Sequence, residues 1–239
     1  AAPAAVPDLM QIYRDGAAYG NWETRLDWPA AQDDRADPRR LEQAIELASM
    51  SCHVERIGMR NAATLLQLAG DGEFSLLLAQ AIADEARHSD AFARYLAELG
   101  EPIAPPGDDP DALTEYFEQT DSFEEMLLGH IYLEGLALEE FTLLIDAFEG
   151  LFIAQIYTHV RMDEARHVAG GLKYLAARIA RAPALSEHLK RHLIENLPVL
   201  AVGESGVSHL ARVSGREPDV IRRRMEKRTE FFLDRLTAR

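Results

Sequence analysis

The pentapeptide Asp84-Glu85-Ala86-Arg87-His88 recurs unchanged as Asp163-Glu164-Ala165-Arg166-His167. Each copy contains Glu-x-x-His, a carboxylate and an imidazole three residues apart, and a helix of 3.6 residues per turn projects both from one face. The repeat reaches further back. Glu55 stands 30 residues before Glu85 and Glu134 stands 30 before Glu164, so the two sets share one offset of 79 residues (55 to 134, 85 to 164, 88 to 167). A lone Glu-x-x-His is commonplace on exposed helices. Two copies, each with an upstream Glu in the same register, describe a metal site.

The candidate ligands are four carboxylates (Glu55, Glu85, Glu134, Glu164) and two imidazoles (His88, His167). Four negative charges gathered in a protein interior are severely unfavourable without counter-ions. Two divalent cations neutralise them by count. Oxygen and nitrogen ligation without thiolate suits iron or manganese, and carboxylates bridge such ions readily. Six protein ligands shared by two ions leave open positions, which is what binding and reducing dioxygen requires.

The elements that must position these side chains are helices. Turn signals at 69–72 and at Gly150 lie near the midpoints between Glu55 and Glu85 and between Glu134 and Glu164. Two antiparallel helices joined at such a midpoint return the paired residues to one height, roughly 22 Å from the turn at 1.5 Å per residue. Asp37-Pro38 caps and opens a helix through Glu55 to about Ala69. A second helix runs from about Glu73 to Leu99 and stops at Gly100. Residues 101–110, rich in Pro, form the linker, and Asp109-Pro110 begins a short helix. Ser122-Phe-Glu-Glu125 is a capping box for a third long helix ending near Gly150, and a fourth runs from about Leu151 to Ala180. Shorter helices are expected around 186–195, 200–213 and from Pro218 to Leu236. No segment alternates as a strand would.

With these residues in place, the chain resembles the ferritin-like diiron-carboxylate superfamily over about residues 40–180. Its bundles supply one Glu from each of two helices and Glu-x-x-His from each of the other two. The resemblance implies an all-α fold, a ferritin-like antiparallel four-helix bundle with extra N- and C-terminal helices. The bundle would occupy about 38–180 and a helical extension 181–239 of one domain. It implies two iron ions, with a manganese–iron pair also possible. The Asp-Glu-x-Arg-His form is most similar to the oxygenase and desaturase branches. There Asp84 and Asp163 would accept the outer imidazole N–H of His167 and His88, with Arg87 and Arg166 as their ion-pair partners. The N-oxygenase branch carries a third His one turn before one Glu-x-x-His; that position here is Val160, and His159 points elsewhere.

The function expected is a dioxygen-dependent diiron oxygenase or oxidase, such as a monooxygenase, acting on a small organic substrate. No flavin, nicotinamide or iron–sulfur motif is present, so the resemblance implies a separate reductase or ferredoxin. The alternative is iron handling of bacterioferritin type, in which ferrous iron is itself the substrate. The roughly 60 residues after the fourth helix exceed what a storage-cage subunit needs and suit a lid or a homodimer surface.

Composition sets further limits. The chain has 239 residues, 47% of them apolar, which supplies one sizeable core. The single cysteine, Cys52, excludes a disulfide framework or a four-thiolate iron site. Residues 1–7 lack the basic and apolar regions of a signal peptide and no run approaches 18 uncharged apolar residues, so a cytoplasmic protein without membrane contact is expected. The net charge of −15 opposes nucleic-acid binding. The basic run Arg222 to Arg228 reads as a solvated helix face or as a dock for an acidic partner.

Other residues admit two readings each. His130, one turn before Glu134, is an extra ligand or proton donor, or a packed histidine. Tyr157 is a redox or pocket residue, or core; Cys52 reads as a small core residue. His188 and His192 are spaced i, i+4 amid Lys190 and Arg191, so no second metal site is expected. Gly58, Ala62, Gly135 and Gly171 leave room beside the ions or allow close helix packing.

Overall fold

A computed structural model describes residues 8–70, 72–106 and 108–237; residues 1–7, on which the leader reading rests, and Asp71 in the first turn lie outside them. The elements are α1 (Leu9–Tyr19), two 3-10 segments (Trp22–Arg25 and Trp28–Ala36), α2 (Pro38–Leu68), α3 (Glu73–Glu98), α4 (Asp108–Glu118), α5 (Phe123–Ala147), α6 (Phe152–Arg181), α7 (Ala184–Leu200), α8 (Glu204–Ser214) and α9 (Pro218–Arg235). Among the described residues there is no strand, and no helix is long and apolar enough to cross a membrane.

The four long helices begin and end where side-chain chemistry dictates. The Asp37 carboxylate accepts the Arg40 N–H at 3.2 Å, and Pro38, lacking a donor, takes the first helical position where no partner is needed. The Ser122 hydroxyl caps α5 by accepting from the Glu125 N–H. Gly70 (φ 65°) and Gly150 (φ 85°) adopt the left-handed conformation that lets the chain reverse between α2 and α3 and between α5 and α6. Both hairpins are therefore antiparallel, and their packing against one another makes the bundle.

Helix α5 is buried almost all round: Met126 to Tyr132 are consecutive buried residues. The cause is that α5 is covered twice, by α2 and α6 on one side and by α7, α8 and α9 on the other. Helix α9 locks on through Phe232, whose ring occupies the space a Cβ on Gly135 would fill, and through Tyr132 Oη to Thr229 Oγ1 at 2.8 Å. The N-terminal segment closes the other flank. Buried Asp34 accepts from Tyr95 Oη of α3 at 2.8 Å and from the Phe152 N–H at the start of α6 at 2.7 Å, tying the two hairpins together. A continuous set of buried apolar side chains runs from Ile12 to Leu236.

Candidate metal centre

The bundle brings all six sequence-predicted ligands together. Glu55, Glu85, His88 and Glu164 offer donor atoms within 4.8 Å of one another, and so do Glu85, Glu134, Glu164 and His167. Glu85 and Glu164 belong to both groups, so they would be shared if each group held a cation. His88 Nδ1 lies 3.2 Å from Glu55 Oε2 and 3.2 Å from Glu164 Oε1. His167 Nδ1 lies 3.1 Å from Glu134 Oε1 and 3.4 Å from Glu164 Oε2. The four carboxylates and His88 are buried, and two of their oxygens, Glu134 Oε2 and Glu164 Oε2, have no hydrogen-bond partner. Orphaned buried carboxylate oxygens are costly unless something cationic faces them, so the donor set fits a pair of divalent ions.

The outer edge of each imidazole is held. His88 Nε2 donates to Asp163 Oδ2 at 3.1 Å and His167 Nε2 to Asp84 Oδ2 at 3.1 Å, each across the bundle. A proton fixed on Nε2 leaves the Nδ1 lone pair facing the carboxylates, the tautomer a metal ligand needs. Arg166 bridges both aspartates, at 3.1 Å from Asp84 and 2.6 Å from Asp163. Arg87 pairs closely with Asp84 and reaches Asp163 at 3.5 Å and Glu23 at 3.6 Å. The two pentapeptides thus interlock, each Asp serving the other copy's His.

Without cations the cluster holds protons instead. Burial pushes the Glu85 carboxyl well above its ordinary value, and the charges of Glu164 and Glu55 push it further. Burial alone would lower the His88 pKa, but the Glu55 charge and its hydrogen bonds to Asp163, Glu164 and Glu55 raise it well above 6.5. His167 is raised in the same way, burial being outweighed by Glu134 and Asp84. Glu164 moves oppositely: burial would raise it, but the adjacent His167 and His88 imidazoles hold it at about 2. Asp163 is likewise held down, against burial, by His88, Arg166 and Trp22.

Trp22 escaped the sequence reading. Its Nε1 donates to Asp163 Oδ2 at 2.9 Å, and its ring stacks on His159 at 4.9 Å with 8° between planes. His159 also meets Tyr19 Oη, so it faces the N-terminal segment, while buried Val160 occupies the neighbouring position. No local pattern marks a tryptophan inside a 3-10 segment as a support for a distant carboxylate. The available hint was rarity, since the chain has two Trp.

The remaining candidates divide clearly. Tyr157 is fully buried between Phe92 and Phe141, its hydroxyl 3.4 Å from Ser51 Oγ, and burial raises its phenol pKa. Cys52 is buried, with a thiol pushed up to about 11 by burial, which makes it inert. His188 and His192 share Glu125, at 2.6 and 3.4 Å, and among the described residues they are not part of a converging donor group. Arg222 pairs with Glu204 and Asp219, and Arg224 and Arg228 both pair with Glu139, so three arginines of the basic run are engaged within the chain. Of the glycines read as room beside the ions, Gly58 alone faces a ligand, since a Cβ there would stand 2.6 Å from Glu85 Oε2; Gly135 faces Phe232 and Gly171 faces Ile131. His130 is buried with Nε2 3.1 Å from Glu134 Oε1, yet that nitrogen makes no hydrogen bond. A cavity of about 80 Å³ lies beside the carboxylates, walled by apolar residues of α2 and α5 and by Leu113 of α4.

No protein-family model matches the sequence, and no curated protein matches it. Solved structures do match. The chain is similar to an R2-like ligand-binding oxidase with aerobically reconstituted Mn/Fe cofactor (TM-score 0.75, 21% identity, 97% of this chain and 94% of that chain). It is similar to another, with reconstituted metal cofactor after photoconversion (TM-score 0.76, 20% identity, 98% and 94%). A third is a variant with Fe/Fe cofactor (TM-score 0.75, 20% identity, 96% and 93%). The likeness establishes the fold: this is a ferritin-like helical bundle, and the carboxylate–histidine cluster lies in its interior.

Proposed function

We propose that the chain is a dioxygen-dependent dimetal oxidoreductase that oxidises a small organic substrate, with Glu55, Glu85, His88, Glu134, Glu164 and His167 as ligands. The observation that carries this reading is the sharing of Glu85 and Glu164 between two donor groups, each completed by an inward imidazole Nδ1. Two iron ions or a manganese–iron pair fit this set, and the matching oxidases are described with both kinds of cofactor. Such a pair supplies the binding and stepwise reduction of dioxygen.

The protein's own residues do the rest. Asp163 and Asp84 fix the tautomer and aim of the imidazoles; Arg87 and Arg166 neutralise the aspartates so that the centre is not overloaded with negative charge. Glu85, whose carboxyl is raised by burial and by the Glu164 and Glu55 charges in the metal-free protein, would give up its proton when cations bind. The apolar wall keeps water from the reacting bond. Electrons come from a separate reductase or ferredoxin, and the chain acts as one domain in a homodimer.

Metal analysis of protein reconstituted with ferrous iron under anaerobic conditions should give two ions per chain. Admitting dioxygen should then produce an optical change that metal-free protein does not show. Protein that stays folded but empty would overturn the reading. Iron storage uses the same ligands, but the apolar chamber beside them favours an organic substrate. A large hollow multi-subunit shell on size-exclusion chromatography would reverse that preference.

A further inference from the structure

Two buried polar side chains near the carboxylates have no task in the account above. The Asn61 side chain is buried, at 8% exposure. His130 is 4% exposed, and its Nε2 makes no hydrogen bond although Glu134 Oε1 lies 3.1 Å away. Both line the 80 Å³ chamber. They are the two uncharged polar side chains in its wall, and a buried nitrogen without a hydrogen bond is costly, which suits His130 to a ligand group entering the chamber.

Asn61 and Ile57 also line a second, larger hollow of about 590 Å³. This outer cleft opens between α2, α4 and the start of α5, with Thr64 and Leu68 on one wall and Phe117 and Met126 on the other. Ile57 and Asn61 are one helical turn apart, so that turn borders both the inner chamber and the outer cleft. On α5, Met126, His130 and Glu134 follow at intervals of four, so one helix face leads from the cleft past His130 to a ligand.

We propose that the Ile57–Asn61 turn is a selectivity neck between cleft and metal chamber, and that Asn61 and His130 anchor a slim organic substrate carrying one hydrogen-bonding group, a hydroxyl, amine or carbonyl, near the bond to be oxidised. This rests on the dimetal reading. An apolar cavity of about 150 Å³ just holds a benzene ring. By that scale the chamber of about 80 Å³ admits about three heavy atoms of a narrow chain end and rejects a saturated ring. The rest of the molecule lies in the cleft. The two polar groups set where that end stops relative to Glu134 and Glu55.

The test uses manganese(II)-loaded protein and two probe alcohols, 1-butanol and cyclohexanol, with paramagnetic broadening of their proton resonances as the readout. Broadening of 1-butanol but not cyclohexanol is expected. Ile57→Ala should admit cyclohexanol. Asn61→Leu and His130→Phe should each weaken 1-butanol binding about fivefold, the loss of one hydrogen bond. Asn61→Ser and His130→Gln, which keep a polar group, should restore part of it. Equal broadening of both alcohols, or polar-to-apolar changes without effect while manganese remains bound, would overturn the neck and leave the metal centre standing. Failure of manganese to bind the folded protein would remove the metal centre and this inference with it.

Discussion

Gly58 on α2 faces Glu85 on α3 so closely that a Cβ at position 58 would lie 2.6 Å from Glu85 Oε2. The group it would displace is the end of a flexible side chain, so the helices need not move apart. Gly58→Ala should therefore fold, and replacing a helical glycine should favour the metal-free protein by about 1 kcal/mol. The same substitution pushes a shared carboxylate out of position. Metal content is expected to fall from two ions per chain toward one while the melting temperature of the metal-free form rises slightly. Unchanged metal content would show that Glu85 is not a shared ligand.

Trp22 reaches the centre through its hydrogen bond to Asp163 and through its ring, whose centroid lies 6.3 Å from that of His88. Trp22→Phe keeps an aromatic ring against His159 but removes one donor from a buried, charged carboxylate. Hydrogen bonds to charged groups are worth about 1.5–3 kcal/mol. The urea midpoint should drop accordingly, and metal affinity should fall roughly 10- to 100-fold because His88 loses its fixed orientation. Isothermal titration with manganese(II) measures the second effect; wild-type affinity in this variant would reduce Trp22 to core packing.

The metal-free protein should be most stable in mild acid. Glu85, His88 and His167 all have raised folded pKa values. Their stabilisation is complete below the unfolded values, 4.5 for the carboxyl and 6.5 for the imidazoles, and is lost as pH rises through the folded ones. Asp163 is lowered, so its contribution is present above 3.8 and is lost as pH falls through its folded value. Between these limits the cluster is satisfied by protons. Melting temperatures of metal-free protein should decline as pH rises above 4.5, where the Glu85 contribution begins to be lost, and further above 6.5, where those of the two imidazoles do. Loading two cations should abolish the decline, since they replace the protons. A flat profile without metal would contradict the shared-proton picture.

The sequence carried the ligands because a repeated pentapeptide and two upstream Glu at one offset report helix register directly. It also carried helix limits wherever a cap or a left-handed glycine marks them, as at Asp37, Ser122, Gly100 and Gly150. The supports from outside the repeat were not legible. Trp22 and Asp34 act on residues more than a hundred positions away, and neither sits in a periodic segment. The glycines were ambiguous for a related reason: whether a missing side chain makes room for a ligand or for a neighbouring ring depends on which helix arrives, and α9 arrives at Gly135 from 97 positions along the chain, at Phe232. The basic run was read correctly as a helix, but its engagement by Glu139 depends on the same unforeseen packing.

That packing separates the two sides of α5. Leu128, Tyr132, Gly135 and Glu139, spaced by four, three and four, form one stripe; Tyr132, Gly135 and Glu139 meet Thr229, Phe232 and the Arg224–Arg228 pair of α9. His130, Glu134 and Ala137 form the stripe that faces the chamber. The two stripes share no residue, so damage to one need not reach the other. Phe232→Ala should cost about 3–5 kcal/mol, the usual loss for a buried phenylalanine, visible as a lower urea midpoint. Glu139→Gln should also destabilise, by less, because it unpairs two half-buried arginines at the protein surface. Both variants should still bind two metal ions per chain at temperatures where they remain folded. A loss of metal from the folded Phe232→Ala protein would mean that α9 holds the ligand geometry itself, and the C-terminal extension would then have to be counted as part of the centre.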